Sequence, residues 1–242
     1  MKVICFVNNK GGVGKTALAT NCAYELSTDH KVLLIDLDEQ CNVSTVFGLD
    51  EGTYSTIDIF ESPEKLAEAA THVTDNLHVI QADKSMNLNI HLLEKLPSPY
   101  NRLELALEGT DYDYVLLDCP PSLNYFVGNA IVASDEVVIV SHADLLSVQG
   151  VFKTITEVNS IKPDASIKLV MNQIKDSRLS GDMTAVVRSF SKENGYQLIG
   201  TVPTSLTISN AVAYQSAPLL MTKYRKDNNA VKALQEITEA IR

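Results

Sequence analysis

The chain has 242 residues, of which 45% are hydrophobic, and its formal net charge is -10 at neutral pH. This length and composition are typical of a soluble globular protein with one large α/β domain or two small ones. They exclude a surface covered by basic patches, and no apolar run reaches the roughly 20 residues of a membrane-spanning helix. The charge is uneven: residues 1–121 carry 19 acidic and 8 basic side chains, whereas residues 122–242 carry 11 and 12.

The N-terminal stretch does not resemble a signal peptide, because its apolar run is short and leads directly into a glycine-rich loop. The four cysteines form no CxxC pair. We expect reduced thiols in a cytoplasmic protein, and a metal or iron–sulfur role is the alternative. The cysteines are Cys5, Cys22, Cys41 and Cys119.

Short apolar runs alternate with helical patterns along the chain, as a doubly wound α/β fold requires. Continuous apolar runs of this length suit parallel strands that are buried on both faces. Strands are predicted at Lys2–Val7, Val32–Asp36, Leu77–Gln81, Tyr114–Asp118, Val137–Val140, Ile167–Met171 and Leu198–Val202. Helices are predicted at Ala17–Ser27, Ser85–Lys95, Asn101–Glu108, Leu123–Ala133, Leu146–Ile161, Gly181–Asn194, Leu206–Gln215 and Asn228–Ile241.

The segment Gly48–Thr74 has a mixed pattern and receives no assignment. The sequence contains no internal repeat, low-complexity tract or linker. We therefore predict a single domain over residues 1–242, with three layers built around a mostly parallel, doubly wound, twisted sheet.

A glycine-rich segment, NKGGVGKT at residues 9–16, lies between the first predicted strand and the first helix. The backbone N–H groups of such a loop point inward and, with the positive end of the following helix, hold phosphates. Lys15 can reach the β- and γ-phosphates, and the Thr16 hydroxyl is placed to ligate Mg²⁺. ATP and Mg²⁺ are therefore predicted ligands. The predicted phosphate contacts are Asn9, Lys10, Gly11, Gly12, Val13, Gly14, Lys15, Thr16 and Ala17.

Asn9 stands where the common pattern has its first glycine. Asparagine tolerates left-handed backbone better than most residues, so we expect the loop to close. The alternative is a glycine-rich turn that merely joins a strand to a helix. The position between strand and helix and the spacing favour the phosphate loop.

Two acidic segments follow predicted strands. LIDLDEQ at residues 34–40 contains Asp36 and Asp38, and YVLLDCPP at residues 114–121 contains Asp118. Carboxylates at the carboxyl edge of a parallel sheet lie beside the phosphate site. An apolar strand that ends in an acid suits a magnesium contact, direct or through water. For Asp36 and Asp38 the alternative is a pair of solvated turn acids.

The loop and the two acidic segments resemble those of the ParA/MinD family of deviant Walker ATPases, whose loop reads KGGxGK[ST]. The resemblance implies a P-loop NTPase fold, slow Mg²⁺-dependent ATP hydrolysis stimulated by a partner, and a homodimer in the ATP-bound state. It also implies that Lys10 reaches the nucleotide of the second subunit, as an arginine finger does. The alternative for Lys10 is a solvated loop lysine.

The same resemblance assigns roles to the carboxylates. It implies that Asp38 orients the attacking water, with Asp36 near the magnesium shell, so that Lys10, Lys15 and Asp38 form the catalytic set. The implied metal set is Thr16, Asp38 and Asp118. Glu39 departs from the family pattern, which usually has proline there.

Two weaker correspondences concern the adenine. Asn172 follows a predicted strand, as does a family residue that contacts the adenine edge. Pro203 precedes Leu206–Pro218, which resembles a late segment that lies near the base. Short polar strand ends are common in any case.

The C-terminal helix has Val231, Leu234, Ile237 and Ile241 on one stripe, without bulky aromatic residues or a basic face. We expect it to pack on the sheet. It would then differ from the C-terminal helices of MinD-type proteins, which bind a membrane. Iron–sulfur scaffold relatives carry a CxxC that this chain lacks, and Cys119 does not match the cluster cysteines of the nitrogenase iron protein.

The remaining resemblance is to short ParA-type partition ATPases, which lack an N-terminal helix-turn-helix domain. It implies nonspecific DNA binding by the ATP dimer, nucleoid association, and a centromere-binding adaptor protein that triggers hydrolysis. Thr204–Ala213, where the family usually has an arginine, contains no base. Candidate DNA contacts are Lys153, Lys175, Arg178, Arg188, Lys192, Lys223, Arg225 and Lys226.

Two other functions stay open. One is a MinD-like positioning switch that recruits a protein or membrane partner without DNA. The other is an ATP-dependent ligase or reductase of the same fold, which would need a substrate pocket that the sequence does not show.

Overall fold

The computed structural model describes residues 1–222 and 229–242. Within these residues one sheet contains eight strands. The strands are β1 (Lys2–Val7), β2 (Val32–Asp36), β3 (Thr71–His72), β4 (Leu77–Ile80), β5 (Tyr114–Asp118), β6 (Glu136–His142), β7 (Ser166–Ile174) and β8 (Gln197–Pro203).

Helices cover both faces of this sheet. They are α1 (Lys15–Leu26), α2 (Asn42–Phe47), α3 (Thr56–Glu61), α4 (Leu66–Ala69), α5 (Met86–Leu93), α6 (Arg102–Leu107), α7 (Tyr125–Ala133), α8 (Leu145–Ile161), α9 (Arg178–Asn194), α10 (Leu206–Gln215) and α11 (Asn229–Ile241). Short 3₁₀ turns lie at Pro63–Lys65, Pro99–Asn101 and Leu219–Met221.

The strand order is β3-β4-β2-β5-β1-β6-β7-β8, and β1 lies in the interior between β5 and β6. Every neighbouring pair is parallel except β3 and β4 at one edge. The predicted mostly parallel, doubly wound sheet is therefore confirmed.

Two apolar clusters lie on opposite faces of the sheet. Val3 and Cys5 of β1 belong to one cluster, together with side chains of α3, α6, α7 and α8. Ile4 and Phe6 belong to the other, together with side chains of α1, α10 and α11. Because the interior strands β1, β2 and β5 are covered on both faces, their residues are apolar in succession rather than alternately.

Most elements match their predicted positions. The bounds of β1, β2, β5 and α10 are those predicted, and the other predicted elements differ by a few residues at their ends. The unassigned stretch contains α3, α4, β3 and a 3₁₀ turn, and α2 was also not predicted. These pieces are two to six residues long, which is too short for a clear periodicity.

The predicted packing of the C-terminal helix on the sheet is confirmed for the described residues, and Asn228 lies outside them. The apolar stripe of α11 is buried. Gly200 of β8 leaves room for the stripe, because a Cβ atom there would lie 2.3 Å from Ile237 Cγ1. Across residues 1–222 and 229–242, no helix has the length and apolar character needed to cross a bilayer.

Replacing Gly200 by alanine should lower the free energy of unfolding by about 1–3 kcal/mol, because the added methyl group overpacks the contact with Ile237. Gly150→Ala is the matched control. This position lies inside α8, and a methyl carbon added there would have no heavy atom within 4 Å, so alanine should be neutral or stabilising by up to about 1 kcal/mol. Urea unfolding followed by circular dichroism measures both, and an unchanged stability for Gly200→Ala would contradict this packing.

Candidate functional site

The carboxyl ends of β1, β2 and β5 meet at one edge of the sheet. Asp118 is the register partner of Phe6 on one side and of Asp36 on the other. The glycine-rich loop leaves β1 at this edge and leads into α1. The parallel pairing therefore brings the loop and the two acidic segments together, as the sequence predicts.

Two glycines give the loop its shape. Gly12 and Gly14 have φ angles of 72° and 97°, a region that side chains strongly disfavour. Gly14 also has no space for a side chain, because a Cβ atom would lie 2.0 Å from Asn172 Nδ2. Asn9 is not among the described residues with positive φ, so the loop closes without left-handed backbone at this position.

Asn8 anchors the start of the loop and was missed in the sequence. Its Nδ2 donates to the Val140 carbonyl at 2.6 Å, and its Oδ1 accepts from the Lys10 backbone N–H at 2.9 Å. The Lys15 ammonium donates to the Asn8 carbonyl at 3.2 Å. The one available signal was a polar residue at the end of an apolar strand, directly before the loop.

Lys15 is almost completely buried, with 6% of its surface exposed. Its ammonium donates to the Asn8 carbonyl and, at 3.4 Å, to the Lys10 carbonyl. Burial lowers its pKa, and the nearby Asp118 carboxylate opposes that change. Both carbonyls are acceptors that a phosphate oxygen can replace.

Asp118 is fully buried at the end of β5. Its Oδ2 accepts from the Thr16 hydroxyl at 2.6 Å, while its Oδ1 has no hydrogen-bond partner among the described residues. Burial raises the pKa of Asp118 to about 7. A buried carboxylate oxygen without a partner, beside a threonine hydroxyl, fits the oxygen ligands that Mg²⁺ requires.

Asp36 and Asp38 have different environments. Asp36 is fully buried, and its two oxygens accept from the backbone N–H groups of Asp38 and Val43 at 3.0 and 3.1 Å. Burial and the adjacent Asp118 raise the pKa of Asp36. Asp38 accepts from the Gln40 backbone N–H at 3.1 Å. Asp36 thus holds the shape of this turn, while Asp38 borders a cavity beside the loop.

This cavity has a volume of ≈ 460 Å³. The predicted site residues that line it are Gly11, Gly12, Gly14, Lys15, Thr16, Ala17 and Asp38. Lining residues that are not among the predicted site residues are Gln40, Asn42, Thr45, Val46, Pro121 and Val212. Three of these belong to α2, which was not predicted, and Val212 belongs to the correctly placed α10.

Three predicted phosphate contacts lie elsewhere in this conformation. Val13 is buried, and the Asn9 amide donates to Glu157 of α8. The Lys10 ammonium contacts the first turn of α8, at 2.7 Å from Ser147 Oγ and 3.3 Å from Asp144 Oδ2. The Lys10 side chain is 43% exposed, so it lies outside its own cavity and open to solvent.

The two predicted adenine contacts, both within the described residues, do not line the cavity. Asn172 is buried, and its Nδ2 donates to the Val13 carbonyl at 2.8 Å, beneath the loop. Pro203 is half-buried at the end of β8. Their adenine contacts remain predictions.

Known proteins resemble this chain along most of its length. A family model described as an AAA domain matches residues 1–171. The chromosome partitioning protein ParA of Caulobacter vibrioides is 32% identical over 235 residues, which cover 91% of this chain and 87% of that protein.

Solved structures share the fold. A putative plasmid partition protein from Borrelia burgdorferi bound to AMPPNP has a TM-score of 0.85 and 23% identity, covering 98% of this chain and 97% of its own. The septum site-determining protein MinD from Pyrococcus horikoshii, complexed with Mg-ADP, has a TM-score of 0.79 and 21% identity, covering 99% and 95%. The loop with its additional lysine, the two acidic segments and these matches lead to one conclusion: this chain belongs to the ParA/MinD family of P-loop ATPases.

Proposed function

We propose that the cavity beside residues 9–17 binds ATP with Mg²⁺ and that the protein hydrolyses it. The loop amides and Lys15 hold the phosphates, while Thr16 and Asp118 hold the metal. The unpartnered Asp118 oxygen supports the metal site. When bound, Mg²⁺ would neutralise charge on the phosphate oxygens. Asp38 borders the cavity and would orient the attacking water, beside the metal.

We propose further that two copies of the chain close on ATP, with Lys10 completing the site of the partner. The position of Lys10 carries this proposal. A loop lysine that served only its own nucleotide would point into its own cavity. The half-exposed Lys10 side chain instead lies outside the cavity and contacts Ser147 of α8. A cation that arrives from a second subunit stabilises charge on the transferring phosphate, so hydrolysis would depend on dimerisation.

For the cellular role we propose DNA partition. The uneven charge of the sequence becomes a spatial asymmetry, because β1 to β5 all come from residues 1–121, whereas β6, β7 and β8 form the other edge. The acidic half therefore occupies one side of the molecule. Arg188 and Lys192 lie exposed on α9, at the nearly neutral side, where DNA phosphates would meet the least repulsion.

An adaptor protein would then stimulate hydrolysis. The partitioning function of the Caulobacter relative supports this role. Lys223, Arg225 and Lys226, the densest predicted basic cluster, lie outside the described residues. Lys153 and Arg178 are exposed, but each has a carboxylate partner at 3.7 Å, Glu157 and Asp182 respectively.

A positioning switch that recruits a protein partner is the second candidate, and the surface of α10 favours it. This helix contains no basic residue, and Leu206 and Tyr214 on it are 78% and 81% exposed. Large exposed apolar side chains suit a protein contact better than a phosphate contact. Binding to nonspecific DNA separates the two candidates.

Asp118→Asn tests the metal site through pH. In the unfolded chain an aspartic acid loses its proton near its ordinary pKa of 3.8, whereas the folded protein keeps the proton on Asp118 up to a pKa of about 7. Asp118 therefore lowers the free energy of unfolding increasingly as the pH rises above about 4, and the full loss applies above about pH 7. Without nucleotide and metal, the variant should therefore be more stable than the wild type, by an amount that grows from about pH 4 and levels off above about pH 7. We expect roughly 4 kcal/mol above about pH 7, or about 8–16 °C in Tm, by differential scanning calorimetry.

With Mg²⁺ and AMPPNP added, the order should reverse, because only the wild type gains the ligand's stabilisation. Asp111→Asn serves as the control and should follow the wild-type profile, because it changes an exposed carboxylate just before the amino end of β5, far from Asp118 at the carboxyl end. A difference between Asp118→Asn and the wild type that does not vary with pH would contradict the assignment.

Lys10→Ala tests the second subunit. The variant should bind AMPPNP as a monomer with less than about a threefold loss of affinity, but its nucleotide-dependent dimer should weaken at least tenfold, since the cation for the partner is lost. Multi-angle light scattering at several concentrations measures the dimer. Lys31→Ala is the control, because Lys31 has a similar exposure of 40% and one carboxylate partner, at the amino end of β2. Wild-type dimerisation by Lys10→Ala would exclude the role across the interface.

Nonspecific duplex DNA tests the cellular role. With AMPPNP, the wild type should bind DNA with an affinity that falls steeply with salt, and Arg188→Ala/Lys192→Ala should flatten the log–log slope by roughly 1–2. Lys31→Ala/Lys65→Ala, on the acidic half, should leave the slope unchanged. Fluorescence anisotropy over a salt series provides the slope. An intact dimer with no DNA binding at low salt would favour the positioning switch.

A further inference from the structure

A histidine lies beneath the phosphate loop and has no part in the proposed function. His142 ends β6, and its register partner on β7 is Asn172, whose amide supports Val13 and abuts Gly14. The imidazole of His142 faces the backbone of Gly12. The two strand ends thus form a floor under three consecutive residues of the loop, on the side away from the cavity.

The charges around His142 are mainly positive. Lys10 of the loop and Lys175 after β7 face it, together with Asp144, the residue that caps α8. The Asp144 carboxylate is already paired with Lys10 at 3.3 Å. Burial and then Lys10 lower the pKa of His142, Asp144 and the Gly12 backbone oppose this, and Lys175 adds a smaller decrease, so the imidazole is neutral at neutral pH.

The imidazole also has an unused nitrogen. Its Nε2 is covered by protein and has no hydrogen-bond partner among the described residues. A buried polar atom of this kind is rare and points to a partner or a protonation state that this conformation lacks. For a histidine, two changes would use this nitrogen: an acceptor that bonds to a second N–H, or a nearby negative charge that stabilises the protonated ring.

Nucleotide binding would supply negative charge. Mg²⁺-bound ATP brings a net charge of about -2 to the opposite side of the loop, within the reach of unscreened electrostatics. Transfer of Lys10 to a partner subunit would also remove one of the two neighbouring cations. Both changes favour the imidazolium form, and a unit charge at the distance of one loop thickness changes a pKa by an amount on the order of one unit.

We propose that His142 is a positioning residue of the nucleotide site that takes up a proton when Mg²⁺-ATP binds. The imidazolium supports the loop from below while its charge balances the phosphates. Because protonation and binding are linked, acidification tightens the nucleotide. This inference rests on the proposed binding of ATP.

Calorimetric titration with AMPPNP at saturating Mg²⁺ tests the proposal. Repeating the titration in buffers of different ionisation enthalpy counts the protons taken up. The wild type should take up a sizeable fraction of one proton per site near pH 6.5 and bind about five times more tightly at pH 6 than at pH 8. His142→Gln should lose this uptake and bind with nearly constant affinity. His30→Gln, at the amino end of the sheet, should behave like the wild type.

Equal proton uptake by the wild type and His142→Gln would overturn the proposal while leaving ATP binding intact. Absence of AMPPNP binding by the wild type at every pH would instead refute the proposed function. Should His142→Gln fail to fold, the wild type decides alone: its His142 ring resonance, followed by NMR, should titrate at higher pH with AMPPNP than without it. An unchanged midpoint would overturn the proposal.

Discussion

The burial of two carboxylates side by side, at the ends of β2 and β5, is the constraint on which the nucleotide site depends. Asp36 and Asp118 are register partners with no exposed surface, and Lys15 is the ammonium beside them. Burial raises the pKa of both acids, and the neighbouring Asp118 raises that of Asp36 further, so charging them costs free energy in the empty protein. A bound cation would relieve this cost, which is why the proposed metal site lies at this edge.

The loop keeps its shape because groups on both sides hold it. The Asn8 side chain fixes the beginning of the loop by donating to the Val140 carbonyl of β6, and Asn172 of β7 supports the middle of the loop. The contact at Gly14 leaves no room for a methyl group, so this glycine is required by packing as well as by its positive φ. Inward-pointing N–H groups fixed in advance bind phosphate without an ordering cost at the moment of binding.

The site residues that directly follow strands could be predicted from the sequence. A glycine loop after a strand, and acids at the ends of two other strands, must converge if the sheet is parallel, and they do. The lining by α2 was not predictable, because its buried Val43, Val46 and Phe47 have helical spacing over only six residues, which is too short to indicate a helix. The contact of Lys10 with the first turn of α8 was not predictable from the sequence either, because Asp144 and Ser147 lie more than 130 residues away along the chain.

The contact of Lys10 with α8 is compatible with the proposed transfer of this lysine to a second subunit. Hydrogen bonds from Ser147 and Lys10 outweigh burial and lower the pKa of Asp144 to about 2, so its carboxylate is charged and attracts the lysine. Both side chains are more than 40% exposed, however, and an ion pair in water is worth at most about 1 kcal/mol. The pair therefore keeps the ammonium at the face of the molecule without locking it there. In the proposed dimer, a triphosphate presented by the second copy would offer more charge than one carboxylate, so the transfer of the lysine would cost little.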